Sequence, residues 1–260
     1  MIRHPTRFML GAALAAGAVA IACGEVPTLQ DGIAYITPIQ LPLPAVAAGD
    51  TLRDSLGRAA PLRVRAFTRD SQEITGLTVT FVPTALPSNV RIDDDGILVA
   101  DDTVRSVQLV GRIGDRLQTT VATLLIVPHP LAMSRPAGDA AGDTAIALPA
   151  LRRLPVTVSG TYRGQVTPVN GILVRYRIDS LRPAGLAGRA ILTNAVGTPQ
   201  RPDSTTAVDT TQSSGNAERS VLVPAGTGVE RVYISASARR LRDGTPLEGS
   251  PVRFELVVKP

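Results

Sequence analysis

Few residues in this 260-residue chain have the chemistry of a catalytic or metal site, and their spacing works against such a role. There are two histidines, His4 and His129, and one cysteine, Cys23. A Ser-His-Asp or Cys-His arrangement needs a histidine as base, and His129 stands between Pro128 and Pro130, where a solvated connecting residue is expected. A zinc site needs three or four nitrogen or sulfur ligands, which this count excludes. No GxxxxGKS/T phosphate loop is present, and no convincing GxGxxG. The acidic runs Asp93-Asp94-Asp95 and Asp101-Asp102 are the best candidates for an ion site. Calcium takes carboxylate and carbonyl oxygens, and Asp93, Asp95, Asp101 and Asp102 are its candidate ligands if the two runs meet across one hairpin. No glutamate follows Gly96 at EF-hand distance, and aspartate is also the ordinary residue of an exposed turn, which is the expectation here. A paired-carboxylate glycosidase is harder to exclude by residue type alone. Glycan sites, however, generally stack sugars on aromatic rings, and this chain has no Trp, four Tyr and four Phe. Phe67, Phe81, Tyr176 and Phe254 fall in strand patterns that predict packing. The expectation is a chain that is not an enzyme and holds no cofactor, with calcium on the acidic hairpin the minor alternative.

Cys23 has a different chemistry. Arg3, His4 and Arg7 make a basic start, Phe8 to Ala22 is uncharged and apolar, and Ala20-Ile21-Ala22 precede the cysteine. The apolar run has the length of a secretory h-region and falls short of the 18 or so residues of a spanning helix. Together these residues resemble a bacterial lipoprotein signal peptide over residues 1–22. The resemblance implies cleavage before Cys23, acylation of its thiol and anchoring of the protein to a membrane through the lipid. Two or more acyl chains, each buried methylene contributing about 0.8 kcal/mol, give stable anchoring. Ala20 departs from the leucine usual three residues before the cysteine. Gly24 stands where an aspartate would signal inner-membrane retention, so the implied location is the cell envelope, at the outer membrane or cell surface. An ordinary secretory signal and an uncleaved anchor helix are the alternatives.

Charge argues against nucleic acid as a partner. The chain carries 27 Lys and Arg against 22 Asp and Glu. Loss of residues 1–22 removes Arg3 and Arg7 and leaves 25 against 22, a net +3. Every basic residue except Lys259 is arginine, and Arg63, Arg65, Arg105, Arg112, Arg175 and Arg177 alternate with apolar residues as on the outer faces of strands. A nucleic-acid binder clusters its charge and interleaves aromatics.

The elements that must carry these residues read as strands. Residues 23–45 contain Pro27, Pro38, Pro42 and Pro44 and predict an extended tether. A first unit spans 46–128. In it 62–67 and 77–82 alternate with period two, Asp93 to Ala100 is a hairpin around Asp-Gly, and 104–113 and 116–127 are further strands. Residues 129–153, rich in Ala, Gly, Asp and Pro, predict a linker. A second unit spans 154–260, with strands at 156–159, 172–180, 190–194, 204–211, 220–223, 229–238 and 251–259. No sustained helical period follows the leader. The fold class is all-β, with two tandem β-sandwiches of about 100 residues each.

Gly49-Asp50-Thr51, then Gly76 to Phe81, then Asp93 to Ala100 and a strand closing at Val127 resemble a bacterial Ig-like domain of group 2, with Phe81 where many members have Trp. Gly171 to Tyr176, Val208 to Thr211, Gly215 to Ala217, Val232 to Ala238 and Gly249 to Phe254 are similar to the group 1 or invasin-type Ig-like repeats, from which 181–204 departs. The resemblance implies two Ig-like sandwiches and a non-catalytic surface role as a structural or adhesion module. The alternative is a module that binds a specific extracellular glycan or protein, with its specificity in end loops such as 181–204. Possible partners beyond the membrane are therefore a cell-envelope or extracellular protein or a glycan.

Overall fold

Alternation of apolar with polar residues decides the architecture. The computed structural model describes residues 32–85, 89–115, 117–136, 146–186, 188–194 and 204–259, and these form twenty strands and no helix. The last strand shows why. Val252, Phe254, Leu256 and Val258 are buried while Arg253 and Lys259 are exposed, so one face enters a core and the other meets water.

The first sandwich uses β1 (Tyr35–Ile36), β2 (Ala45–Ala47), β3 (Ala66–Phe67), β4 (Glu73–Ile74), β5 (Thr80–Pro83), β6 (Val90–Ile92), β7 (Leu98–Ala100), β8 (Arg105–Ile113), β9 (Leu117–Gln118) and β10 (Ala122–Val127). One layer is the sheet β2-β10-β8-β5, with β9 also on β8. The hairpin β6–β7 and the small sheet β1-β3-β4 form the other. Leu52, Leu98, Leu109, Leu124 and Ile126 fill the core between them.

The second sandwich uses β11 (His129–Ser134), β12 (Ile146–Ala147), β13 (Ala150–Tyr162), β14 (Gln165–Pro168), β15 (Leu173–Arg182), β16 (Ile191–Thr193), β17 (Thr206–Thr210), β18 (Asn216–Val223), β19 (Arg231–Ala238) and β20 (Val252–Lys259). Its sheets run β11-β13-β18-β16, with β14 on β13, and β12-β20-β19-β15-β17. Leu154, Val156, Val158, Tyr176, Leu192, Ile234 and Leu256 are buried between them.

Two segments depart from the sequence reading. The described part of the predicted tether, residues 32–45, is folded into the first sandwich. Its β1 pairs with β3, Gln40 bridges to Arg63, and β2 runs parallel to β10 with Ala45 opposite Leu125. Ile39, Leu43 and Ala45 are buried. Pro38, Pro42 and Pro44 lie outside the named strands, and β2 is an edge of its sheet. No central ladder therefore needs their missing N–H groups, and the apolar residues set between them settle into the core. The predicted linker 129–153 also begins and ends in strand. Residues 129–134 pair with 157–161 of β13, and Ala150 to Arg153 pair with β18. Pro130 is tolerated because β11 is an edge of its sheet. Only Pro128 separates the last strand of the first sandwich from the first strand of the second.

Tyr176 is fully buried, and its hydroxyl has no hydrogen-bond partner among the described residues. Burial, then the negative charge of Asp209, drives its pKa far above the usual tyrosine range. The ring fills core volume while the hydroxyl carries an unrecovered desolvation cost. Tyr176→Phe is therefore expected to leave stability unchanged or raise it by up to about 1 kcal/mol, as read by urea denaturation. A loss of that size would mean the hydroxyl has a partner.

Candidate functional site

An elaborate contact lies where the two sandwiches meet. On the first, Asp54 builds a tight turn: one carboxylate oxygen accepts the N–H groups of Leu56 at 2.9 Å and Arg58 at 3.0 Å, and the other accepts the Arg58 guanidinium at 3.1 Å. The turn places Gly57 at φ +79°. On the second, Asp243 accepts from the Thr245 N–H at 2.9 Å and its hydroxyl at 2.6 Å, the Arg240 N–H donates to the Thr245 carbonyl at 2.7 Å, and Gly244 lies at φ +69°. These two glycines meet backbone to backbone. A Cβ on Gly57 would lie 2.6 Å from the Gly244 nitrogen, and one on Gly244 would lie 2.7 Å from the Leu56 carbonyl carbon. Only glycine combines that φ with that approach.

Two further contacts support the junction. Gly171 faces Ala45 and Leu125, and the Tyr162 hydroxyl donates to the Asp102 carbonyl at 3.3 Å. The buried apolar residues of both sandwiches consequently form one continuous cluster.

Beside the paired turns is a cleft of about 240 Å³. Leu43, Leu56, Ile172, Leu173, Val208 and Leu241 give it apolar walls, and Arg175, Arg239 and Arg240 also line it. Leu56 is 61% exposed at the tip of its turn. Arg239 donates to the Gly244 carbonyl at 2.8 Å, while Arg175 and Arg240 have no ion-pair partner among the described residues. The cleft can hold a small apolar group with an anion at its rim.

The Asp54 turn titrates with a definite sign. The Arg58 N–H, then that of Leu56 and the Arg58 guanidinium, hold the Asp54 carboxyl below its ordinary 3.8, against an opposing desolvation effect. A depressed carboxyl pKa contributes stability that is complete above 3.8 and lost as the pH falls through the lower folded value. The amide resonances of Leu56 and Arg58 should therefore hold steady from neutral pH down to about 5 and move only below 3.8. A midpoint above 3.8 would contradict this account of the turn.

The candidate ion ligands are not brought together. Asp93 closes one end of the β6–β7 hairpin, where its carboxylate accepts the Ile97 N–H at 2.8 Å and its carbonyl the Gly96 N–H at 3.0 Å. Asp95 lies in the same turn. Asp101 and Asp102 follow the other end, with the Asp101 N–H on the Asn89 carbonyl at 2.8 Å. The Asn89 amide, then the Thr103 N–H, hold the Asp101 carboxyl below its ordinary range. The two runs thus sit a strand's length apart instead of meeting across the hairpin. Among the described residues no three His, Cys, Asp or Glu side chains gather as a metal site would need.

His129 is an exposed member of β11, opposite Thr161. Cys23 and the leader lie outside the described residues, as do 187 and 195–203 of the 181–204 loop. Sequence reading missed the junction, although an Asp-Ser-Leu-Gly-Arg turn and an Arg-Asp-Gly-Thr turn are both visible in it.

Fold and junction define a protein of two tandem β-sandwiches in direct contact. No protein-family model matches the chain, and no curated protein matches it. Among solved structures, the Yersinia pseudotuberculosis adhesin InvE aligns over 84% of this chain and 57% of its own, at 17% identity and a TM-score of 0.37. The present chain thus spans little more than half of that adhesin's. Domains 4 and 5 of the S-layer protein SbsC align over 88% of this chain and 100% of theirs, at 13% identity and TM-score 0.31. The D0-D1 domain of intimin aligns over 86% and 98%, at 13% identity and TM-score 0.25. The sandwich assignment itself rests on the strand order given above.

Proposed function

We propose that this chain is a non-catalytic, lipid-anchored surface lipoprotein of the bacterial envelope, working as an Ig-like structural and adhesion module. The observation that carries this reading is the backbone-to-backbone docking of Gly57 on Gly244, beside a core continuous across both sandwiches. Such a junction suits a module that holds a surface at a fixed distance and orientation. The lipid on Cys23 would fix one end and the second sandwich would project outward. The leader motif supports the anchor, and the period-two strands with few nucleophile–base pairings support a role without catalysis.

Intact mass spectrometry of the protein extracted from its native membranes tests the anchor. A mature chain starting at Cys23 with diacyl or triacyl mass is expected. A chain without lipid, or one retaining residues 1–22, would overturn the anchoring half of the reading.

A further inference from the structure

The two edges of the β2-β10-β8-β5 sheet have different surroundings. The β2 edge is buried, with Ala45 against Gly171 of the second sandwich. The β5 edge opens on a groove of about 720 Å³ that runs between β5 and the extended segment 62–65.

Backbone groups line this groove without partners. The Thr84 N–H donates to the Gln108 carbonyl at 2.9 Å, which sets the hydrogen-bonded pairs of β5 and β8 at Val82–Val110 and Thr80–Arg112. Phe81 stands opposite Gly111, whose N–H and carbonyl both turn to Thr119 instead. The N–H and carbonyl of Phe81 therefore point out from the open edge, and Pro83 has no N–H to offer there. Among the described residues, the backbone N–H and carbonyl groups of Val64, Leu77 and Val79 also make no hydrogen bond. Val64 and Val79 pack over Gly111, and the Phe81 ring lies against Gly96, which puts three apolar side chains into an otherwise mostly polar lining. The ends differ in charge. Arg65 and Glu73 neutralise each other at one; the exposed Asp94 and Asp95 have no ion-pair or hydrogen-bond partner among the described residues at the other, and Arg63, which also lines the groove, offsets one of their two charges.

A row of unpaired donors and acceptors along an open strand edge is complementary to an extended polypeptide, whose main chain supplies the matching row. The two free carboxylates select a cation. A second copy of this chain offering its own β5 would bring none, because residues 77–85 are uncharged. We propose that the groove takes one extended segment of a partner protein, paired along the open edge of β5, with a lysine or arginine at the Asp94–Asp95 end. This names a partner class for the module proposed above and rests on that reading only for where the partner is met. Binding is measured in solution, so its failure and a failure of anchoring are scored separately.

The test titrates the full chain, held in detergent, with the synthetic peptide acetyl-Lys-Thr-Val-Thr-Val-Thr-Val-amide, and follows amide hydrogen exchange. At saturation the Val79 and Phe81 amides are expected to exchange at least about tenfold more slowly. A peptide with glutamate in place of its lysine should bind at least about threefold more weakly, and the surface variant Asp94→Lys/Asp95→Lys should reverse that preference. No protection of either amide at about 1 mM peptide would overturn the proposal. So would equal binding of a backbone N-methylated peptide, or protection of the same amides by self-association without peptide.

Discussion

Replacing Gly244 with valine is expected to separate the two sandwiches while leaving each folded. Gly244 lies at φ +69°, where a β-branched residue costs about 1–3 kcal/mol. The decisive effect is steric. Its Cβ would lie 2.7 Å from the Leu56 carbonyl carbon, 2.8 Å from the Leu56 oxygen and 3.0 Å from the Gly57 nitrogen. All three are backbone atoms, which no rotamer change can move aside, so the Asp54–Arg58 turn has to retreat. Small-angle scattering should show a larger radius of gyration, and calorimetry should resolve two transitions in place of one. Gly226→Val is the control, because Gly226 sits at φ +72° with nothing within 4 Å of its Cβ position. It carries the conformational cost without the collision. If both variants scatter like the parent, the junction does not depend on the glycine pair.

Ile234→Ala is expected to cost roughly 3 kcal/mol and lower the melting temperature of the second sandwich by about 6–12 °C. Ile234 is 1% exposed on β19, flanked by β15 and β20, so its neighbours are fixed by ladders on both sides and cannot collapse into the space left. That cost is a large part of the 5–15 kcal/mol typical of a whole domain. Val166→Ala is the contrasting case. The side chain is 78% exposed on β14 and its loss should change stability by less than about 0.5 kcal/mol. Urea denaturation of both variants decides the matter, and equal effects would mean that the period-two assignment of inner and outer faces is wrong.

The second sandwich was the more legible of the two in sequence. Its strands β13, β15, β19 and β20 are 8 to 13 residues long, so alternation has room to declare itself. The Asp93–Ala100 hairpin was legible for another reason, since Asp-Gly between apolar residues is a local turn signal. In the first sandwich, 62–67 alternates as expected, yet it pairs only in pieces: Arg63 makes an isolated bridge to Gln40, and Ala66–Phe67 form a two-residue strand. Side-chain alternation reports burial, whereas pairing depends on a neighbour elsewhere in the chain. The buried tether failed to show itself because its four prolines signal an extended spacer, while its fate is set by Ile39, Leu43 and Ala45. The glycine pair was unreadable for a stricter reason. Gly57 and Gly244 each look like an ordinary turn glycine, and only their meeting across 187 positions gives them a further role.

The parallel pairing of β2 with β10 has a mechanical consequence. Tension applied at the N-terminal side meets β1 and the Gln40–Arg63 bridge first and then β2, and it leaves through β10 into the second by way of Pro128. The pull acts on β2 toward its start and on β10 toward its end. Because the strands run the same way, the hydrogen bonds around Ala45–Leu125, Val46–Ile126 and Val127–Ala47 are sheared together instead of being peeled apart one at a time. A shared load makes rupture a collective event, so the first sandwich resists extension at β2, whose first residue closes the segment that composition presents as an extended tether.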